Sequence, residues 1–252
     1  MGSRGIVALG CALPVELSGL KKRGFRKIDA GGIGFQRGDI HGMDVAIFVS
    51  GIGGERAYRT VKAACGTLPL SAYIQTGFSA GLTGELAPGD IVTGEKVIDA
   101  GGDGRVYEAD PGLLEAACRA FGERCNKCSF LAVERTVVLA SEKKRLGIEY
   151  GCSALDMESA GAARAAFEER VPFISIRAIS DGADEDLPLD FNLFMKDGAL
   201  DWPKFLLHVA LHPGVVPPLL RLGRQSRLAA IRLAGALDGF LGELSKDGYG
   251  AT

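Results

Sequence analysis

Five short apolar runs end in glycines, in an acid, or in both: "ALGCALPVE", "FVSGIGG", "IQTGFSAG", "SALDMES" and "SIRAISDGAD". Each has the length and continuous apolar character of a strand buried on both faces. Helical patterns separate them, in "GERAYRTVKAACGTL", "DPGLLEAACRAFGERC" and "MESAGAARAAFEER". Strands alternating with helices predict a largely parallel sheet covered on both sides. The stretch "GIGFQRGDIHGMDVAIFVSGIG" reads as a hairpin turning at His41-Gly42-Met43-Asp44, which makes the sheet mixed. Gly66 is expected to stop the first helix, and Asp110 to cap the second with Pro111 at its first position. "SFLAVERTVVLAS" reads as a strand throughout, and "HPGVVPPLLRLG" as too broken by proline to be one helix, forming a hydrophobic mouth or lid instead. With no internal repeat and no low-complexity linker, residues 1–252 read as one α/β domain. Residues 203–252 form its basic amphipathic C-terminal extension.

Composition removes several classes of function. A net charge of -2 and a pI near 6.0 give no global field to recruit nucleic acid. No apolar run reaches the ~18 residues that span a bilayer, and the N-terminal apolar run continues into a domain rather than into a signal-peptide cleavage site. Gly2-Ser3 has the look of a cloning remnant. Six cysteines are scattered, with one C-x-x-C at Cys125 and Cys128 and only three distant histidines. That pattern argues against a zinc site and for a reduced, cytoplasmic protein.

In open α/β sheets ligands bind at the carboxyl ends of the strands. Between the glycines of those ends stand Glu16, Glu158, Arg177 and Asp181. The loops "SGIGG" and "TGFSAG" offer backbone N–H groups to an oxyanion or a sugar.

The strand ends, taken in order, resemble the nucleoside phosphorylase superfamily, particularly its adenosine-type nucleosidase branch. The matching pieces are "IHGMDVAIFVSGIG", "TGFSAGL", "LAPGDIV", "DMES" and "RAISDGAD". The C-terminal stretch from "LDWPKFLLHVALHPG" onward is similar to the tail of the hopanoid-associated phosphorylases. The resemblance implies a twisted, barrel-like mixed sheet flanked by helices, a homo-oligomer, and cleavage of a purine N-glycosidic bond with release of adenine, adenosylhopane being the narrower substrate expectation. A soluble methylthioadenosine or adenosylhomocysteine nucleosidase and a non-catalytic nucleoside-binding module are the alternatives.

Such chemistry builds an oxocarbenium-like sugar and pushes electrons into the base. By the resemblance, Glu158 and Met157 hold the ribose hydroxyls. Asp181, steadied by Ser180, shares a proton with purine N7, and Val137 and Val138 contact the base. Arg177 orients the nucleophile, and Glu16 activates a water. Gly10, Gly53, Gly77, Phe78 and Ser79 supply contacts to water or phosphate. Phe78 stands where the nucleosidase pattern has serine, with Ser79 adjacent. No aromatic residue is present at 137–138 to stack on a base. A negative Glu16 disfavours phosphate, whereas the tail is similar to that of phosphorylases, so both nucleophiles stay open. No metal and no organic cofactor is implied; phosphate is a co-substrate only in phosphorolysis.

The tail carries Lys204, Arg221, Arg224, Arg227 and Arg232 with no acid from 203 to 234, and Leu233, Leu237, Phe240, Leu241 and Leu244 share one helical face. A basic amphipathic end predicts either contact with the inner membrane surface or a helix packed on the core.

Overall fold

The computed structural model describes residues 5–20, 24–102, 104–197 and 199–249, so Gly2-Ser3 lies outside the described residues. The chain opens with β1 (Ile6–Cys11), buried along its whole length, and a 3-10 turn at Pro14–Leu17. An antiparallel ribbon follows, β2 (Arg26–Ala30), β3 (Ile33–Ile40) and β4 (Met43–Val49). Its second turn is the two residues His41 and Gly42, both at positive φ (55° and 77°), as a tight hairpin turn requires.

Next come α1 (Gly54–Thr67) and β5 (Leu70–Gly81). The first helix runs through Gly66 instead of stopping there. It ends where Leu68, held extended ahead of Pro69, returns its N–H to the Ala64 carbonyl. β6 (Ile91–Asp99) and β7 (Val106–Glu108) pair antiparallel, and α2 (Pro111–Phe121) follows. As expected, Asp110 caps α2 by accepting the Leu113 N–H, with Pro111 in the first turn.

β8 (Asn126–Ala132) ends before "VERTVVLAS". The expected long strand is therefore cut in two. Residues 133–139 are an irregular loop whose backbone is satisfied from elsewhere. Asn192 both accepts from the Thr136 N–H and donates to the Thr136 carbonyl (2.9 Å each), and Leu187 N–H donates to Val138 (2.9 Å). After it comes α3 (Ala140–Tyr150), a helix with little apolar periodicity to announce it.

Then follow β9 (Ala154–Asp156), α4 (Ser159–Glu168) and β10 (Phe173–Asp181). A small hairpin, β11 (Met195–Lys196) with β12 (Ala199–Leu200), leads into α5 (Trp202–Leu211). The chain closes with α6 (Val216–Lys246). Pro217 and Pro218 start this helix rather than break it, because first-turn N–H groups have no intrahelical partner to lose.

β5 organises the sheet. It pairs with β1 over its first half, with β9 at Ala80 and Gly81, and with β10 along its other edge. The strands β5, β10, β6, β8 and β9 thereby close into a ring, and β1, β4, β3 and β2 extend from it. One apolar layer lies under α1 and α4 and includes Ala8, Phe48, Tyr73 and Phe130. The opposite layer packs Val7, Leu9 and Ile74 against α2 and α6. Leu233, Leu237, Phe240, Leu241 and Leu244 are all fully buried in that second layer. The amphipathic face of the tail is core, and the membrane expectation for these five residues is corrected.

Candidate active site

β5 leaves β1 after Gln75 and meets β9 at Ala80. The gap between, Thr76–Ser79, is the switch point of the sheet, where ligand crevices form. Gly77 there has φ 140°, and a Cβ on it would lie 2.5 Å from Glu16 Oε1. The glycine lets the Glu16 carboxylate close on the strand. Glu16 Oε1 accepts the Phe78 N–H (2.9 Å) and Oε2 the Leu13 N–H (2.8 Å). Burial pushes the Glu16 carboxyl up, opposed by Arg177 and these backbone donors.

From the far side of the gap come the residues of "LDMES". Glu158 Oε1 accepts the Gly53 N–H (2.9 Å), and Oε2 faces Arg177 at 3.4 Å. Asp156 Oδ2 binds Arg177 at 2.8 Å, and Oδ1 accepts the Ser159 N–H (3.0 Å). Burial raises the Glu158 carboxyl to about 7 against the pull of Arg177, with Asp156 and Glu16 pushing the same way. Arg177 is wholly buried and also donates to the Phe78 carbonyl (3.1 Å).

At the end of β10, Ser180 Oγ donates to Asp181 Oδ1 (2.7 Å), and Lys143 Nζ donates to Asp181 Oδ2 (2.5 Å). Lys143, on α3, is fully buried and spends its other donors on the Gly182 (3.1 Å) and Glu185 (2.9 Å) carbonyls.

These groups surround one cavity of about 360 Å³, within the ~300–1,000 Å³ of small-molecule sites. Glu16, Met157, Glu158, Ser180 and Asp181 line it together with Phe78, Ser79 and Val137. Its other wall is apolar and comes from late in the chain: Leu187, Phe191, Met195, Leu200 and Leu222. No Lys, Arg or His lines it among the described residues. Two larger clefts, of about 670 and 750 Å³, lie elsewhere, and neither is lined by Glu16, Glu158 or Asp181.

Several of the expected residues do not line the cavity. Gly10 sits inside β1, where a Cβ would lie 2.0 Å from the Tyr73 hydroxyl; it makes room for that ring and does not line the cavity. Gly53 and Gly77 act on Glu158 and Glu16 instead of on the cavity. Arg177 lies beneath the carboxylates as their counter-ion and does not reach the wall. Val138 does not line the cavity, and its carbonyl accepts the Leu187 N–H. Ser79 does face it, while donating to the Leu155 carbonyl (2.8 Å).

Sequence reasoning missed Lys143, because α3 was not foreseen. It missed the role of Asp156, and it missed Phe191, which with the expected Phe78 gives the cavity its aromatic surface. No apolar stripe in the sequence announces α3, whose buried face is Lys143 and Gly147 with Tyr150 half-buried.

The model of the Phosphorylase superfamily matches residues 6–209. The chain is 30% identical to the 5'-methylthioadenosine/S-adenosylhomocysteine nucleosidase of Shewanella denitrificans, over 65% of this chain and 80% of that protein. The nucleosidase of the same kind from Neisseria meningitidis, solved with methylthio-immucillin-A, superposes with a TM-score of 0.72 at 20% identity, covering 94% of this chain and 98% of that one. Futalosine hydrolase of Helicobacter pylori also gives a TM-score of 0.72, at 18% identity, over 94% and 97% of the two chains.

Proposed function

The chain belongs to the phosphorylase superfamily, and from that premise we propose that it is a nucleosidase: it cleaves the N-glycosidic bond of a 5′-modified adenosine with water and releases adenine. One observation carries the choice of chemistry. Four carboxylates, Glu16, Asp156, Glu158 and Asp181, line a single cavity whose described wall holds no cation.

In this reading Glu158 accepts hydrogen bonds from the ribose hydroxyls, and these strengthen as the ring becomes cationic. Met157 packs beside it. Asp181, oriented by Ser180 and Lys143, takes up a proton from solvent as the substrate enters and passes it to N7 as the C1′–N9 bond breaks and its electron pair enters the base. Water attacks C1′, and its proton goes to Glu16. Phosphate in the same place would meet the Glu16 carboxylate with no free cation to offset it; Arg177 is engaged by Asp156 and Glu158, and Lys143 by Asp181. That supports hydrolysis over phosphorolysis.

The apolar wall of Leu187, Phe191, Met195, Leu200 and Leu222 supports a hydrocarbon 5′ substituent. Adenosylhopane, whose polycyclic tail would continue along that wall, is the substrate we favour. The names of the nucleosidase relatives favour a second reading, a methylthioadenosine or adenosylhomocysteine substrate.

The test measures adenine release by absorbance from methylthioadenosine and from adenosines bearing long 5′-alkyl groups, with and without phosphate. The expected result is release that needs no phosphate, with KM falling as the 5′ group lengthens. Strict phosphate dependence would overturn hydrolysis. A KM that rises with chain length would favour the second reading.

A further inference from the structure

The cavity's apolar wall is the inner side of a layer whose outer side faces solvent. Phe191 stacks on Phe205 of α5 at 6.3 Å, and Phe194 meets the same ring edge-on at 5.7 Å. Beyond that ring α5 buries none of its ten residues. Trp202, Leu206, Leu207 and Leu211 are each about 60% exposed or more (60%, 58%, 61% and 67%). α6 meets α5 at 104°, and its first turns continue the surface with Val216 and Leu220. Contiguous apolar surface of this kind marks a contact site.

The charge pattern identifies the occupant. From 202 to 237 there is no acid. Val216, Leu220, Arg224 and Arg227 follow one another at helical spacing along a side of α6 that borders its buried stripe. Arg224 and Arg227 are exposed and have no acidic partner among the described residues, whereas Arg221 is held by Glu185 at 2.8 Å. We propose that the α5–α6 elbow is a docking surface for an anionic lipid bilayer, with Trp202 and the exposed leucines entering the interface and Arg224 and Arg227 meeting lipid phosphates. A second copy of the chain is the poorer occupant, since a two-fold contact would bring this arginine stripe against itself. No single helix among the described residues is long and apolar enough to cross the bilayer. The elbow lies on the surface, and the cavity wall directly behind it takes the 5′ group of a lipid-tailed nucleoside. That last clause rests on the function proposed above; the docking surface itself does not.

The full chain is floated with vesicles of phosphatidylcholine alone and with vesicles containing about one-third phosphatidylglycerol, at low and high salt. The expected result is about tenfold stronger binding to the anionic vesicles, lost in high salt. Leu207→Glu with Leu211→Glu abolishes binding to both. Arg224→Gln with Arg227→Gln removes the preference for anionic lipid. All variants keep wild-type adenine release from methylthioadenosine in lipid-free solution. Absence of binding to anionic vesicles overturns the proposal. So does a lipid-free dimer that the leucine pair converts to monomer, which would make the occupant a second copy. Lost vesicle binding with intact adenine release sinks only the docking surface. Vesicle binding without adenine release from any adenosine sinks the proposed function and leaves the docking surface standing.

Discussion

Around Arg177 three carboxylates, Asp156, Glu158 and Glu16, share one guanidinium; around Lys143 one carboxylate, Asp181, meets one ammonium. Both clusters are buried and both border the same cavity, yet their charge counts differ. In the Arg177 cluster burial, and after it the excess negative charge of Asp156 and Glu16, raise Glu158 to about 7 against the pull of Arg177. The Lys143 pair is balanced, and all three ammonium donors are used. One cluster therefore raises a carboxyl, and the other fixes the direction of one. On the function proposed above, the first grips the sugar and the second aims Asp181 at the base.

Substitutions break the comparison in different ways. Asp181→Asn keeps the shape and removes the proton: kcat for adenine release is expected to fall ~10²–10⁴-fold, and a kcat within threefold of wild type would remove Asp181 from the chemistry. Arg177→Met leaves three buried carboxylates with no counter-ion. Denaturant unfolding should show a loss of about 3–5 kcal/mol, the range for breaking a buried pair, because only some of the three can be neutralised by protonation. Lys143→Met strands a single carboxylate that keeps its Ser180 hydrogen bond and an edge on the cavity. Its loss should fall nearer ~2–3 kcal/mol, toward the lower end for a buried group left unpaired. Equal losses in the two methionine variants would show that charge count does not separate the clusters.

How much of this was legible depended on which link of the chain carried the signal. Apolar runs with glycine ends located β1, β4, β5 and β10, because a strand buried on both faces writes its burial directly into sequence. Glu16, Glu158 and Asp181 were legible for a related reason: Asp181 closes β10, and Glu16 and Glu158 stand within a few residues of the ends of β1 and β9. What stayed hidden depends on pairing across the fold. The split edge of β5, which hands the Phe78 N–H to Glu16, exists only once β1 and β9 are both in register with it. Lys143 reads as one of three consecutive basic residues, and only the docking of α3 separates it from its exposed neighbours Lys144 and Arg145. The stripe from Leu233 to Leu244 shows the converse. Its amphipathic pattern was plain, but periodicity states that one face is apolar without naming what covers it; here it is the sheet.

The smallest effect gives the sharpest test of the contrast, because it requires no loss of structure. A carboxyl whose folded pKa stands at about 7 against its ordinary 4.5 binds more protons in the folded chain than in the unfolded chain between those two pH values. Stability then falls as pH rises through that window, by at most about 1.4 kcal/mol per unit for one proton. Below pH ~4.5 both states are protonated and the term vanishes. Glu16, also raised by burial, has the same sign. Unfolding at pH 5.5 and 7.5 should therefore show wild type losing stability relative to Glu158→Gln as pH rises. Ribose hydroxyls need the ionised acceptor, so KM should fall over the same interval in which stability falls. A wild-type pH slope identical to that of Glu158→Gln would mean that the carboxyl is ionised throughout.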